Sequence, residues 1–228
     1  VLPHLADAEL VNEAGIAAVS IAEKLVDSHP QLAAEAAAKI LATCKSADIV
    51  GRAAALRGKP QSGPFLRDWL VSGPYRQPGV TGAEKLFPID FGPEKQGEEV
   101  SWRPVPPGDM VNLWIMFPGQ VDCVAYLKTQ IIAPQDCDAL LLMGSDDGVK
   151  AWLNGAVVHA NNTDRGAVAD QDTAPIQLKK GANLLMLKIT QGQGGWSACA
   201  RIVSKEGVPI PGLTTDVTVS KTHEKPAP

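Results

Sequence analysis

Long apolar runs, basic clusters and paired cysteines are all missing from this 228-residue sequence. No stretch approaches the roughly 20 uninterrupted apolar residues that a membrane helix needs, so membrane insertion is not expected. A basic leader followed by an apolar segment, the mark of a secretory signal, is absent too. The chain opens on Val1 rather than methionine, as a trimmed piece of a longer protein would. Basic residues number 21 against 25 acidic ones, for a formal net charge of −4, and the longest basic run is Lys179-Lys180. Nucleic-acid binders gather their basic charge into a stripe, so nucleic acid is not an expected partner. The four cysteines, Cys44, Cys123, Cys137 and Cys199, form no C-x-x-C pair. A structural zinc site is therefore not expected, and free, half-buried thiols are. Also absent are G-x-S-x-G, H-E-x-x-H, a phosphate-binding loop and a G-x-G-x-x-G following a strand. The acidic residues lie mostly in turns rather than as a pair across a cleft. Catalysis is not expected.

What the sequence does contain divides into two parts with different periods. Over residues 1–58 the pattern is helical. Asp7 stands before a stripe of Leu10, Val11, Ala14, Ala17, Ala18, Ile21, Leu25 and Val26, spaced for one helix face. Ser28-His29-Pro30-Gln31 then reads as a stop and restart with a capping box. The alanine-rich QLAAEAAAKILATC is a strong helix former, and SADIVGRAAALRG opens a third helix at Ser46 that ends at Gly58. Short alanine-rich helices with tight turns resemble the helical pairs of HEAT-type repeats, and a small helical bundle fits equally well.

Residues 59–64 read as a linker, with Pro60, Ser62, Gly63 and Pro64 close together. From Phe65 to about residue 205 the runs are short, rich in Val, Ile, Leu, Trp and Thr, and separated by turn residues. Many short strands without interleaved helices predict a mainly β fold, a sandwich or barrel. VNLWIMF reads as one of these strands. Segment 74–110 carries seven prolines and predicts long loops, with one short strand near VSWRP and with Tyr75 and Trp102 exposed. Residues 206–228 read as a polar tail or linker.

Within the β region, GSDDGVKAWLNGAVVHANN at 144–162 stands out. Val149, Ala151 and Leu153 alternate inward, and Asn154-Gly155 suits a two-residue hairpin turn in which both central residues need positive φ. Leu185, Leu187 and Ile189 repeat the alternation, as do Trp196, Ala198, Ala200 and Ile202. The adjacent Asp146 and Asp147 either accept backbone N–H bonds in a turn, with one of them pairing to Arg165, or ligate a hard cation through oxygen. The following loop offers His159, Asn161, Asn162, Asp164, Arg165, Asp170, Gln171 and Asp172 as donors and acceptors suited to sugar hydroxyls. Trp196, after the glycine-rich GQGG, either stacks on a sugar ring or packs in the core.

The ordered set FLRDWLVSGPY, SWRPV, AYLKTQI, GSDDGVKAWLNGAVVHANNTDRG and LKKGANLLMLKITQGQGGWSACARI resembles the jelly-roll modules of the galactose-binding-like superfamily. The Ser-Asp-Asp-Gly-Val segment is also similar to protective-antigen-type sugar-binding sandwiches. The resemblance covers about residues 65–204. It implies a jelly-roll β-sandwich behind a small N-terminal α-helical segment, excised from a secreted or envelope protein of bacteria. As a function it implies non-catalytic carbohydrate binding, assisted by calcium on Asp146 and Asp147. His159, Asn161, Asn162, Arg165, Asp172 and Trp196 are the expected ligand-binding residues. A glycan and the neighbouring domains are the expected partners. The competing reading is a structural spacer with no ligand of its own.

Overall fold

A computed structural model describes residues 1–7, 10–25, 30–58 and 63–217. The chain divides into two compact units, Val1–Ser62 and Gly63–Pro228. Most of the expected linker, the Ser28-His29 half of the expected capping box and the end of the tail lie outside the described residues.

The first unit has a 3-10 turn at Leu2–Ala6 and three helices, α1 (Val11–Leu25), α2 (Pro30–Thr43) and α3 (Ala47–Gly58). Each of these helices packs on the other two. Its core is made largely of alanine: Ala14, Ala18, Ala22, Ala33, Ala36, Ala37 and Ala53 surround Val19, Ile40 and Ile49. Alanine favours the helix and lets helix axes approach closely. The buried stripe is narrower than the expected one, because Ile21 of α1 and Leu10 just before it face outward.

The second unit is mainly β, with eleven strands among its described residues in two antiparallel sheets. One sheet runs β2 (Arg103–Pro104), β1 (Leu70–Tyr75), β4 (Cys123–Ala133), β9 (Gly181–Gln191), β6 (Val149–Leu153), β7 (Ala156–Asn161). β11 (Thr214–Asp216) extends the β1 edge by pairing with the far end of β4. The other sheet runs β3 (Val111–Asn112), β10 (Ser197–Ser204), β5 (Cys137–Asp146), β8 (Asp172–Leu178). From β4 onward the chain passes repeatedly from one sheet to the other, which is the jelly-roll wrap. The expected inward residues of β6, β9 and β10 all lie in the core between the sheets, with Leu141, Met143, Ile176 and Trp69. Asn154 and Gly155 take φ of 52° and 83°, as the tight hairpin requires. All four cysteines are free thiols.

Two local expectations are corrected. VNLWIMF is a strand only at Val111–Asn112; the Asn112 side chain then caps a one-turn helix at Leu113–Met116 by accepting from the Ile115 N–H at 3.0 Å. This turns Trp114 and Ile115 toward solvent. The proline-rich segment is mostly loop with its short strand at Arg103–Pro104, as expected, but the exposure expected of its aromatics is corrected. The segment lies on the outer face of the larger sheet, where Leu86 and Phe91 pack with Val124, Tyr126 and Trp152. Tyr75 and Trp102 are drawn into this second cluster and are half-buried rather than exposed. At its centre Lys188, fully buried, donates to Glu94 Oε1 at 2.7 Å and to the Ile89 carbonyl at 2.6 Å, while Lys150 reaches Glu94 Oε2 at 3.2 Å. The Tyr126 hydroxyl also donates to Glu94. Burial raises the Glu94 pKa, but the bonds from Lys188 and Tyr126 outweigh it and hold the carboxyl below its ordinary range. The pair therefore fastens the segment to the sheet as an ion pair.

Candidate functional site

The aspartate pair sits where β5 ends. Their side chains have different fates. Asp147 is buried, and its two oxygens accept main-chain N–H groups from Gly192 at 2.8 Å and Arg165 at 3.3 Å. Its own N–H donates to the Thr190 carbonyl at 3.0 Å. Ser145 Oγ donates to the Asp147 carbonyl at 2.6 Å, and the Asp146–Asp147 peptide bond is cis. Asp147 thus ties three chain segments together, as the turn reading expects. The segments are the β5–β6 turn, the β7–β8 loop and the loop after β9.

Asp146 is different. It is half-buried, and the groups that act on it raise its pKa to about 6: burial first, then the carboxylates of Asp147 and Asp164. No cation is among them. Its Oδ2 lies 2.7 Å from where a Cβ would stand on residue 195, so glycine there admits the carboxylate. Asp147 is raised as well, by burial and by Asp164, with the Gly192 and Arg165 N–H bonds working against them. The Asp164 carboxylate therefore acts on both turn aspartates, and among the described residues no positive side chain is among the groups that act on Asp146. Among the described residues, no group of three or more His, Cys, Asp or Glu is arranged to hold a metal ion by itself.

The expected ligand residues around the β7–β8 loop are partly brought together, with each other. Asp172, 7% exposed, accepts from Asn161 Nδ2 at 2.8 Å on one oxygen and pairs with Arg165 on the other. His159 Nε2 lies 3.2 Å from the first of these oxygens, a charge contact only when the ring is protonated. Arg165 also donates through Nη2 to Ser145 Oγ at 2.9 Å and through Nε to the Ser145 carbonyl at 3.2 Å. Burial raises the Asp172 pKa, yet Arg165 and Asn161 bring it below the ordinary carboxylate range. Asn162 stands apart and donates to the Glu84 carbonyl at 2.9 Å. Arg165 pairs with Asp172 rather than with either turn aspartate through its guanidinium.

Trp196 is a correction. It is 1% exposed and packs beside Phe117 with ring centroids 5.5 Å apart, so it belongs to the core and presents no face to a ligand. The alternation it begins in β10 carries it inward. The aromatic ring that is open at this end is Trp114, 39% exposed. Reading VNLWIMF as a strand hid it, although strict alternation from the outward Asn112 would have turned Trp114 outward too. Ser145, which joins Arg165 to the aspartate turn, carried no signal in the sequence beyond its neighbours.

No protein-family model matches the chain, and no curated protein matches it either. Solved structures do. The PA14 sugar-binding domain of an RTX adhesin is 16% identical, with 60% of this chain and 88% of that one covered and a TM-score of 0.34. The PA14 domain of the MpAFP antifreeze protein is 14% identical over 67% of this chain and 69% of that one, TM-score 0.33. A β-glucosidase from Kluyveromyces marxianus is 16% identical over 60% of this chain, TM-score 0.41, and this chain spans only 16% of its length. None of the described helices is long and apolar enough to cross a membrane.

Proposed function

We propose that the β unit is a non-catalytic carbohydrate-binding module of a larger secreted or cell-envelope protein, and that calcium joins it to the glycan. The observation that carries this reading is Asp146: a half-buried carboxylate, raised to about 6 by burial and by two neighbouring carboxylates, with no cation among the groups acting on it. A divalent cation relieves that arrangement. Asp146 and Asp147 would hold it, with Asp164 nearby and main-chain and ligand oxygens completing the six to eight that calcium takes. Bound there, the ion would supply a positive centre for vicinal hydroxyls of a sugar. The His159–Asn161–Arg165–Asp172 network would then fix the loop that carries Asp164. Its role is to position that loop, and the ligand is left to the aspartates and the open surface beside them. The sugar-binding name of one structural neighbour and the likeness of the aspartate segment to protective-antigen-type modules agree with this reading.

A second reading has its own support. The buried Trp196 and the bonding of Asn161 and Arg165 to Asp172 suit a spacer domain, which needs no ligand.

Thermal unfolding in EDTA and in millimolar calcium tests the proposal. A ligand that binds only the folded state adds about 2.7 kcal/mol at a hundredfold excess over its dissociation constant. The expected result is a calcium-dependent rise in Tm that Asp147→Asn and Asp146→Asn both remove. An identical Tm in EDTA and calcium would give the spacer reading the lead.

A further inference from the structure

We infer that Trp114 is the stacking platform of the binding site, taking the apolar face of a pyranose ring whose hydroxyls reach the Asp146 side. This inference rests on the calcium-assisted reading above and names the surface that completes it. The ladder places the residues. Ser197 on β10 pairs with Asn112 on one side and Asp146 on the other, so the three lie in one row across the smaller sheet. Residues paired this way share a face. Asn112 is exposed while Val111 is buried in the core, so the row faces outward, and Ala198 and Ser145 face inward. Neighbouring strands lie about 4.8 Å apart, which sets Asn112 and Asp146 at about 10 Å, within the span of two linked sugar rings.

Trp114 stands just beyond Asn112. Its main-chain N–H donates to the Trp196 carbonyl at 3.1 Å, which holds the one-turn helix against the start of β10. Trp114 is 39% exposed and its neighbour Ile115 is 69% exposed. An exposed aromatic residue is thus held by its main chain next to the start of β10, one residue from Gly195, whose missing Cβ makes room for the Asp146 carboxylate. A sugar ring has the matching character: one apolar face for the indole and a rim of hydroxyls for the serine, the carboxylate and its cation. A protein partner would want the apolar patch continued across the row. Instead the row is polar.

Affinity electrophoresis of the whole chain through gels containing yeast mannan, galactomannan or mixed-linkage β-glucan, with and without calcium, tests this. Wild type, Trp114→Ala and Trp114→Phe are compared, with the calcium-induced Tm rise of each as the control. The expected result is retardation of wild type by one of these polysaccharides, weakened about tenfold or more in Trp114→Ala, as for a buried aromatic anchor, and largely kept in Trp114→Phe. The calcium response should be the same in all three. Equal retardation of wild type and Trp114→Ala would overturn the inference and leave the calcium reading standing; Trp114 and Ile115 would then be a protein-docking patch. A calcium response with no retardation of wild type by any of the polysaccharides would also overturn it. Absence of both would overturn the platform and the calcium reading together.

Discussion

Replacing Asp146 with asparagine should stabilise the protein in the absence of calcium, against the usual direction of a half-buried substitution. The folded state raises this carboxyl from its ordinary 3.8 to about 6, by burial and then by repulsion from Asp147 and Asp164. The folded chain therefore holds the proton more tightly than the unfolded chain. Stability from this group is fully present below pH 3.8 and is lost as pH rises through about 6. Each pH unit of separation is worth about 1.4 kcal/mol. The gap amounts to about 3 kcal/mol unscreened, and to about half of that for a carboxylate still partly open to water. Asparagine keeps the shape and carries no charge. At pH 7 in EDTA, Asp146→Asn should gain about 1.5 kcal/mol, or roughly 3–6 °C in Tm for a unit of this size, and its stability should vary less with pH between 4 and 6 than wild type's. Differential scanning calorimetry across that range, in EDTA, measures both. A lower Tm for Asp146→Asn at pH 7 would refute the claim that this carboxylate is uncompensated.

Other parts of the structure give predictions of opposite sign. Glu94→Gln leaves the buried Lys188 ammonium without its counter-charge and should cost about 3 kcal/mol by urea unfolding at pH 7; a loss under 1 kcal/mol would mean the pair does not fasten the proline-rich segment. Asp172→Asn removes the partner of Arg165 and should cost about 2 kcal/mol at pH 7. Because the Asp172 carboxyl sits below its ordinary range in the folded state, that cost should shrink as pH falls through the carboxylate range, where wild type loses the same contribution. Equal costs at pH 7 and pH 3 would contradict the pairing. Gly155→Val forces a β-branched residue to φ of 83° and should cost about 1–2 kcal/mol, whereas Val157→Thr on the exposed face of the same hairpin should be nearly neutral.

The sandwich was legible because its strands alternate cleanly. Val149, Ala151 and Leu153, then Leu185, Leu187 and Ile189, announce one buried face by their spacing, and Asn154-Gly155 announces the turn between β6 and β7. The breaks in that legibility have physical causes. Asn112 is short enough to cap a helix, and the capping bond to Ile115 ended a strand whose composition looked continuous. The proline-rich segment carried no period, so nothing local showed that Glu94 would meet Lys188, a pairing between positions 94 residues apart. At the candidate site the aspartate turn was visible, but the distinction between its two members was not. That distinction depends on Gly192 and Arg165 supplying N–H groups to Asp147, with no such donor to Asp146 among the described residues. The same holds for the loop side chains. Asn161, Arg165 and Asp172 advertise hydrogen bonding, and only the fold shows that they spend much of it on one another.

Isothermal titration of calcium chloride into the metal-free chain, at pH 7.5 and again at pH 5.5, tests the central claim most directly. One saturable site per chain is expected at pH 7.5. At pH 5.5 weaker binding with protons released to buffer is expected, since the Asp146 carboxyl, raised to about 6, must first ionise. Asp146→Asn should abolish the heat at both values. No saturable heat from wild type at millimolar calcium and pH 7.5, or full binding retained in Asp146→Asn, would contradict the claim.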